Sequence, residues 1–279
     1  MEIDGWSSLS GPDVYSELRG VQCPYAIKDS SGMITGYDTW ENDYYSRSEI
    51  NSETLNKKHV MFLGDSFTFC HGVKREDEFG KRFEELLSSD YSCFNLAMPG
   101  GSNSLSLLRL QQWCNAYGNQ IHSVYFNISS IARDMYWYTD TDWSWNSDID
   151  SVMSNRFDYI PSNPSHMTEH YKMLISTFEK QSSKLNSMVK LETVLMSVIN
   201  LSIVHGFKLY FWNVPDTLMT ENEEKRISST SVFNENIVWG GSIEHEKSDE
   251  LAEDDGHWSP SGIKRISKVL YNKTKGWYV

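Results

Sequence analysis

Cysteine is scarce in this chain. There are four in 279 residues, Cys23, Cys70, Cys93 and Cys114, with no C-x-x-C pair among them. That spacing excludes the usual zinc-ligand patterns, and a chain of this length can close a core without a disulfide scaffold. The cysteines therefore read as buried thiols, which favours a reducing, cytoplasmic setting over a secreted one. Long apolar runs are missing too: none approaches the roughly 20 residues that span a bilayer. The opening MEIDGWSSLSGPD is acidic and polar and has neither the basic n-region nor the apolar h-region of a signal peptide. Positive charge is also short. Lys and Arg number 25 against 38 Asp and Glu, a formal charge of −13, and the basic residues are scattered. No stripe of them could neutralise a row of phosphates, so nucleic acid is excluded as the expected partner. A soluble protein with no membrane partner is the expectation, and the negative charge reads as solubility.

Repeats and low-complexity linkers are absent, so the rhythm of apolar runs has to define the organisation. Residues 1–58 are turn-rich and aromatic and read as an irregular N-terminal extension that could carry a short hairpin; 59–279 read as the principal domain. Within it, short apolar runs alternate with helical patterns. Strands are predicted at 60–64, 93–98, 123–129 and 208–214, with a weaker fifth at 232–239. Helices are predicted at 76–88 and 103–117, over one or two segments between 166 and 204, and from Pro260 onward behind Ser259 as N-cap. The stretch 135–165, rich in Trp, Tyr, Asp and Asn, breaks this rhythm and reads as a surface insertion. Alternating strands and helices imply an α/β fold of three layers around a parallel sheet of about five strands, with the chemistry at the strands' carboxyl ends.

Two motifs fall there. GDSFTF at Gly64–Phe69 follows the first strand and can turn the hydroxyl and N–H of Ser66 toward a cleft; by itself it could equally be a polar turn. DDGHWSPSG at Asp254–Gly262 places His257 just before a capped helix, with a carboxylate three residues upstream. Such a carboxylate can hold an imidazole's tautomer while the ring takes a proton from a hydroxyl.

Together, GDSFTFCHGV and DDGHWSPSG resemble blocks I and V of the SGNH, or GDSL-like, hydrolases, and NLAMPGGSN at Asn95–Asn103 resembles block II. The likeness runs over about residues 58–270, with motif identity in those three blocks. It implies a flavodoxin-like sheet and a serine esterase working through an acyl-enzyme without a cofactor. Ser66 would be the nucleophile, His257 the base, and Asp254 (with Asp255 as a nearer alternative) the orienter. The N–H groups of Ser66 and Gly100 would form part of the oxyanion hole. The chain departs from the family at block III. No G-x-N-D follows the third strand; the segment reads FNISSIARDMYW, so Ser130 is the candidate third donor, with Arg133 and Asn103 as alternatives. Cys70 stands where the family has glycine.

Trp137, Trp143 and Trp145, in a stretch also containing Asp and Asn, combine apolar faces with polar handles suited to a sugar, and Arg133 could meet a substrate anion. The expected substrate is a small acyl ester, such as acetyl, on a carbohydrate. Two other readings stay open: an O-acyltransferase to a glycan using the same residues, and a carbohydrate-binding protein on a decayed hydrolase fold. His166 and His170 have an i, i+4 spacing without a third ligand, so no metal is expected. Oligomeric state is not legible.

Overall fold

The computed structural model describes residues 25–28, 34–38, 51–70, 73–97, 101–131, 133–138, 151–156, 184–214, 219–229, 232–246, 250–251 and 257–278; for the first two of these segments, for 133–138 and 151–156, and for residue 184 only the backbone course is described. In the N-terminal stretch, β1 (Tyr25–Lys28) and β2 (Ile34–Asp38) pair as an antiparallel hairpin, followed by the single turn α1 (Ser52–Leu55). The chain then runs through β3 (Lys58–Leu63), α2 (Ser66–Phe69), a 3₁₀ turn at Arg75–Asp77, α3 (Phe79–Glu84), β4 (Tyr91–Asn95), α4 (Asn103–Tyr117) and β5 (Ile121–Ile128). Next come β6 (Arg133–Tyr138), β7 (Ser151–Arg156), α5 (Lys184–His205), β8 (Lys208–Asn213), α6 (Glu221–Ser228), β9 (Ile237–Ser242) and α7 (Pro260–Thr274).

Five strands form one parallel sheet in the order β4-β3-β5-β8-β9. Numbered by their appearance in the sheet, this is the flavodoxin-like order 2-1-3-4-5. Because both faces are covered, the strand sequences are almost continuously apolar, with successive side chains going to opposite layers. Met61, Leu63, Val124, Phe126, Leu209 and Phe211 face α4, α5 and Ile227 of α6. Val60, Phe62, Tyr125, Tyr210 and Trp212 face α3 and α7. Ile263, Ile266 and Leu270 of α7 are completely buried there. Each such side chain contributes about 1.5–3 kcal/mol relative to exposure.

Three details depart from the sequence expectation. The helix predicted over 76–88 is split: Glu78 has an extended backbone, ends the 3₁₀ turn and N-caps α3 through its buried carboxylate, which accepts from Gly80 N and Lys81 N at 2.9 and 3.0 Å. Residues 133–138 and 151–156, overlapping the stretch read as a surface insertion from 135 to 165, form β6 and β7, an antiparallel pair with Trp137 opposite Val152 that the sequence reading did not include. Helix α6 has no counterpart in the sequence reading. Its capping box was nevertheless legible, since Thr220 accepts from Glu223 N while the Glu223 carboxylate accepts from Thr220 N. Leu185–His205 is long and apolar enough to cross a bilayer, but Met188, Leu191, Leu195 and Val198 lie in the core against the sheet.

Candidate active site

The site begins where β3 runs out. Gly64 has φ +152°, and a Cβ there would lie 2.6 Å from Thr68 Oγ1 and 2.7 Å from Asn127 Cβ, so the strand can turn tightly only with glycine. Asp65 then N-caps α2: its side chain accepts from Phe67 N at 3.1 Å and from Asn127 Nδ2 at 3.3 Å. Ser66 is the first residue of that helix and is 8 % exposed. In such a position a backbone N–H has no carbonyl within its own helix to bond, so both the N–H and the hydroxyl of Ser66 suit a reacting group.

The second half arrives from the other end of the chain. Leu251 and Trp258 pair antiparallel, and Ser259 N donates to Glu250 O at 2.8 Å, a stem that anchors the chain next to His257. Gly262 in the first turn of α7 lies against that stem, since a Cβ there would be 2.2 Å from Glu250 O. Glu250 is itself buried and paired with Arg265 Nε at 2.8 Å. The imidazole of His257 rests on the Phe67 ring, centroids 4.8 Å apart, and its Nε2 lies 2.7 Å from Ser66 Oγ. Two groups 191 residues apart thus share a hydrogen bond at the carboxyl edge of the sheet. A serine hydroxyl bonded to an imidazole nitrogen is the arrangement from which a proton can leave as the oxygen attacks a carbonyl.

Buried amides and one guanidinium hold the surrounding turns. Asn95 Nδ2 donates to Thr68 O and to the Glu78 carboxylate, each at 2.8 Å, while its Oδ1 accepts from Ala97 N at 3.2 Å. Asn95 thereby fastens the nucleophile turn to the chain leaving β4. Arg109 of α4 is buried and donates to Leu96 O at 2.6 Å. Asn103 exchanges two bonds with Ser129: Nδ2 to Ser129 O at 3.1 Å, and Ser129 N to Oδ1 at 2.9 Å. Sequence reasoning placed Glu78 at a helix N-terminus and assigned no role at the site to Asn95, Arg109, Asn127 or Glu78. A signal existed for two of them, because Asn95 and Asn127 are amides at or near the carboxyl ends of otherwise apolar strands, where a polar group needs a partner.

Of the residues singled out in the sequence, Ser66 and His257 meet. Ser130 is buried and follows β5, the strand beside β3, where Leu63 is level with Phe126. Ser66 and Ser130 stand three and four residues beyond that pair, on the same edge. The Asn103 amide meets the Ser129 backbone through Oδ1 and through one of its two N–H groups. Arg133 and Trp137 lie on β6. Asp254, Asp255, Gly100, Trp143, Trp145, His166 and His170 lie outside the described residues. Among the described residues no group of three His, Cys, Asp or Glu could hold a metal ion. Among the described residues thiol chemistry has little support: burial pushes the Cys93 thiol well up and that of Cys114 up to about 12. Cys70 Sγ donates to Thr68 O and accepts from Phe79 N.

Neither a protein-family model nor a curated protein matches the chain. Among solved structures, it is similar to a G-D-S-L-family lipolytic protein from Desulfitobacterium hafniense at 9 % identity and a TM-score of 0.48, covering 78 % of this chain and 99 % of that one. It is also similar to a carbohydrate acetylesterase family member from Sinorhizobium meliloti at 10 % identity and a TM-score of 0.43, with 78 % and 99 % covered.

Proposed function

We propose that the chain is an SGNH-type serine esterase acting on a small acyl ester, acetyl in the simplest case, carried by a carbohydrate. The observation that carries this reading is the 2.7 Å contact between Ser66 Oγ and His257 Nε2, held at the carboxyl edge of the sheet. In the proposed reaction the Ser66 proton passes to His257 Nε2 as Oγ bonds to the ester carbonyl carbon. The negative oxygen is received by the N–H groups of Ser66 and Gly100 and by the Ser130 hydroxyl. Collapse expels the alcohol, which takes the proton from His257 and leaves an acyl-Ser66. Water, deprotonated by the same imidazole, then attacks the acyl-enzyme, releases the acid and restores the serine. Asp254, three residues before the imidazole, holds its tautomer and stabilises the imidazolium.

The carbohydrate half of the proposal rests on the sequence stretch that carries Trp137, Trp143 and Trp145, with Arg133 as a candidate anion contact. The test is hydrolysis of p-nitrophenyl esters of increasing acyl length alongside acetylated polysaccharides. The proposal expects turnover of the short acyl esters and acetate release from the polysaccharide, both abolished in Ser66→Ala. Undiminished turnover by Ser66→Ala would refute it.

A further inference from the structure

We infer that Asn103 is a positioning residue for transition-state stabilisation: its carboxamide fixes the Ser129–Ser130 turn against the start of α4. The inference rests on the serine-esterase reading. Asn103 is 5 % exposed and Ser129 is fully buried, so their paired bonds of 3.1 and 2.9 Å lie out of water. In that setting a hydrogen bond is strengthened and an unmade one is costly. A carboxamide is the side-chain group that offers one donor and one acceptor in the geometry of a peptide. Here it pairs with the Ser129 backbone as a neighbouring strand would, just where β5 has no further sheet partner of its own.

The position of this clamp is what ties it to chemistry. At one end it sits on the first residue of α4, whose N-cap Ser102 accepts from Leu105 N at 3.2 Å, immediately after the block II glycines. At the other it grips the residue preceding Ser130, on the strand next to the one that delivers Ser66. One of the proposed oxyanion donors, the Ser130 hydroxyl, thus directly follows the residue that this amide holds, and Asn103 itself stands three residues after Gly100 in the sequence. Donors aimed at developing charge must be fixed before the reaction to be effective, and a displacement of about 1 Å can cost on the order of 10²-fold in rate. Asn103 acts through Ser129 and Ser130 and touches no reacting atom.

Asn103→Asp tests this. It keeps the acceptor and the shape, removes the donor, and sets a carboxylate against the Ser129 carbonyl. At the first position of α4 an acidic residue suits the helix dipole, so the helix itself is not penalised. With p-nitrophenyl acetate the expected result is a kcat lower by about 10- to 100-fold, a KM within about two-fold, and no further loss when Ser130→Ala is added. Should Asn103→Asp fail to fold, Asn103→Ser is judged by the same criteria. A variant that loses thermal stability while retaining wild-type kcat, or kcat losses that multiply with Ser130→Ala, overturns the inference. Fluorophosphonate labelling of the wild type separates the two levels. If Ser66 is labelled and turned over normally but Asn103→Asp behaves as wild type, the positioning role alone falls; if wild-type Ser66 is neither labelled nor active, the esterase reading falls and takes this inference with it.

Discussion

Cys70 ends α2 with φ 64° and ψ 55°, a left-handed conformation and the only positive φ outside glycine among the described residues. The family that the sequence resembles has glycine at this position, and the backbone here keeps the shape glycine would take, at a steric cost of about 1–2 kcal/mol. The sulfur offsets part of that cost by filling a buried site and accepting from Phe79 N at 3.3 Å. Opposite expectations follow for two truncations. Cys70→Ala removes the sulfur and keeps the strain, whereas Cys70→Gly removes both. Urea denaturation should find Cys70→Gly at least as stable as Cys70→Ala, a reversal of the usual order in which deleting more buried atoms costs more. A glycine variant less stable by about 1 kcal/mol or more would show that the left-handed backbone is not strained. His59 carries a second expectation. It is fully buried beneath Trp113, whose Nε1 donates to His59 Nδ1 at 3.1 Å, while His59 Nε2 donates to Leu55 O. Burial lowers its pKa from 6.5 to about 4. Between those values the unfolded chain binds a proton that the folded chain does not, so this contribution to stability is present above about 6.5 and is lost as pH falls toward 4. The loss amounts to about 3 kcal/mol. Urea titrations from pH 7 to pH 4 should show this decline in wild type and a weaker one in His59→Gln; parallel curves would contradict it.

At the scale of elements, much of this fold was legible because most segments announce their own ends. α4 was predicted over 103–117 and occupies Asn103–Tyr117, and α7 starts at Pro260 behind a Ser259 cap as expected. What escaped were features set by tertiary contact. Acidic Glu76, Asp77 and Glu78 suit a helix N-terminus, but nothing local in GVKREDEFGK says that Glu78 will be buried and accept from Asn95 Nδ2. The amide clamps escaped for the same reason: Asn103 and Ser129 are 26 residues apart and meet only once α4 has packed beside β5. Trp137 was readable as an aromatic in a polar stretch, but its place on a paired strand was not. If β6 presents it to sugar, Trp137→Ala should lower polysaccharide turnover about ten-fold or more and spare p-nitrophenyl acetate, because remote contacts help only substrates large enough to reach them. Equal losses on the two substrates would make the residue structural.

Over the whole molecule, the strand order explains why residues so far apart in sequence converge. In a 2-1-3-4-5 sheet the chain reverses direction between β3 and β5, and the loops leaving those two strands part to open a crevice at their carboxyl ends. Ser66 leaves β3 on one side of it and Ser130 leaves β5 on the other, while α7, whose Ile263 and Ile266 share a buried cluster with Val60 and Phe62 of β3 and Tyr125 of β5, follows directly on His257. The motifs gave the residue types, and the topology supplies their meeting. The central claim is that Ser66 and His257 work as one nucleophilic unit. Its most direct measurement is the rate and site of covalent modification by a fluorophosphonate, read by intact mass and peptide mapping, in wild type, Ser66→Ala and His257→Ala. The account predicts a single adduct on Ser66 in wild type, none in Ser66→Ala, and labelling slowed by at least about 10³-fold in His257→Ala, since members of a triad act together. An adduct on another residue, or equal labelling of Ser66 with and without the imidazole, would contradict it.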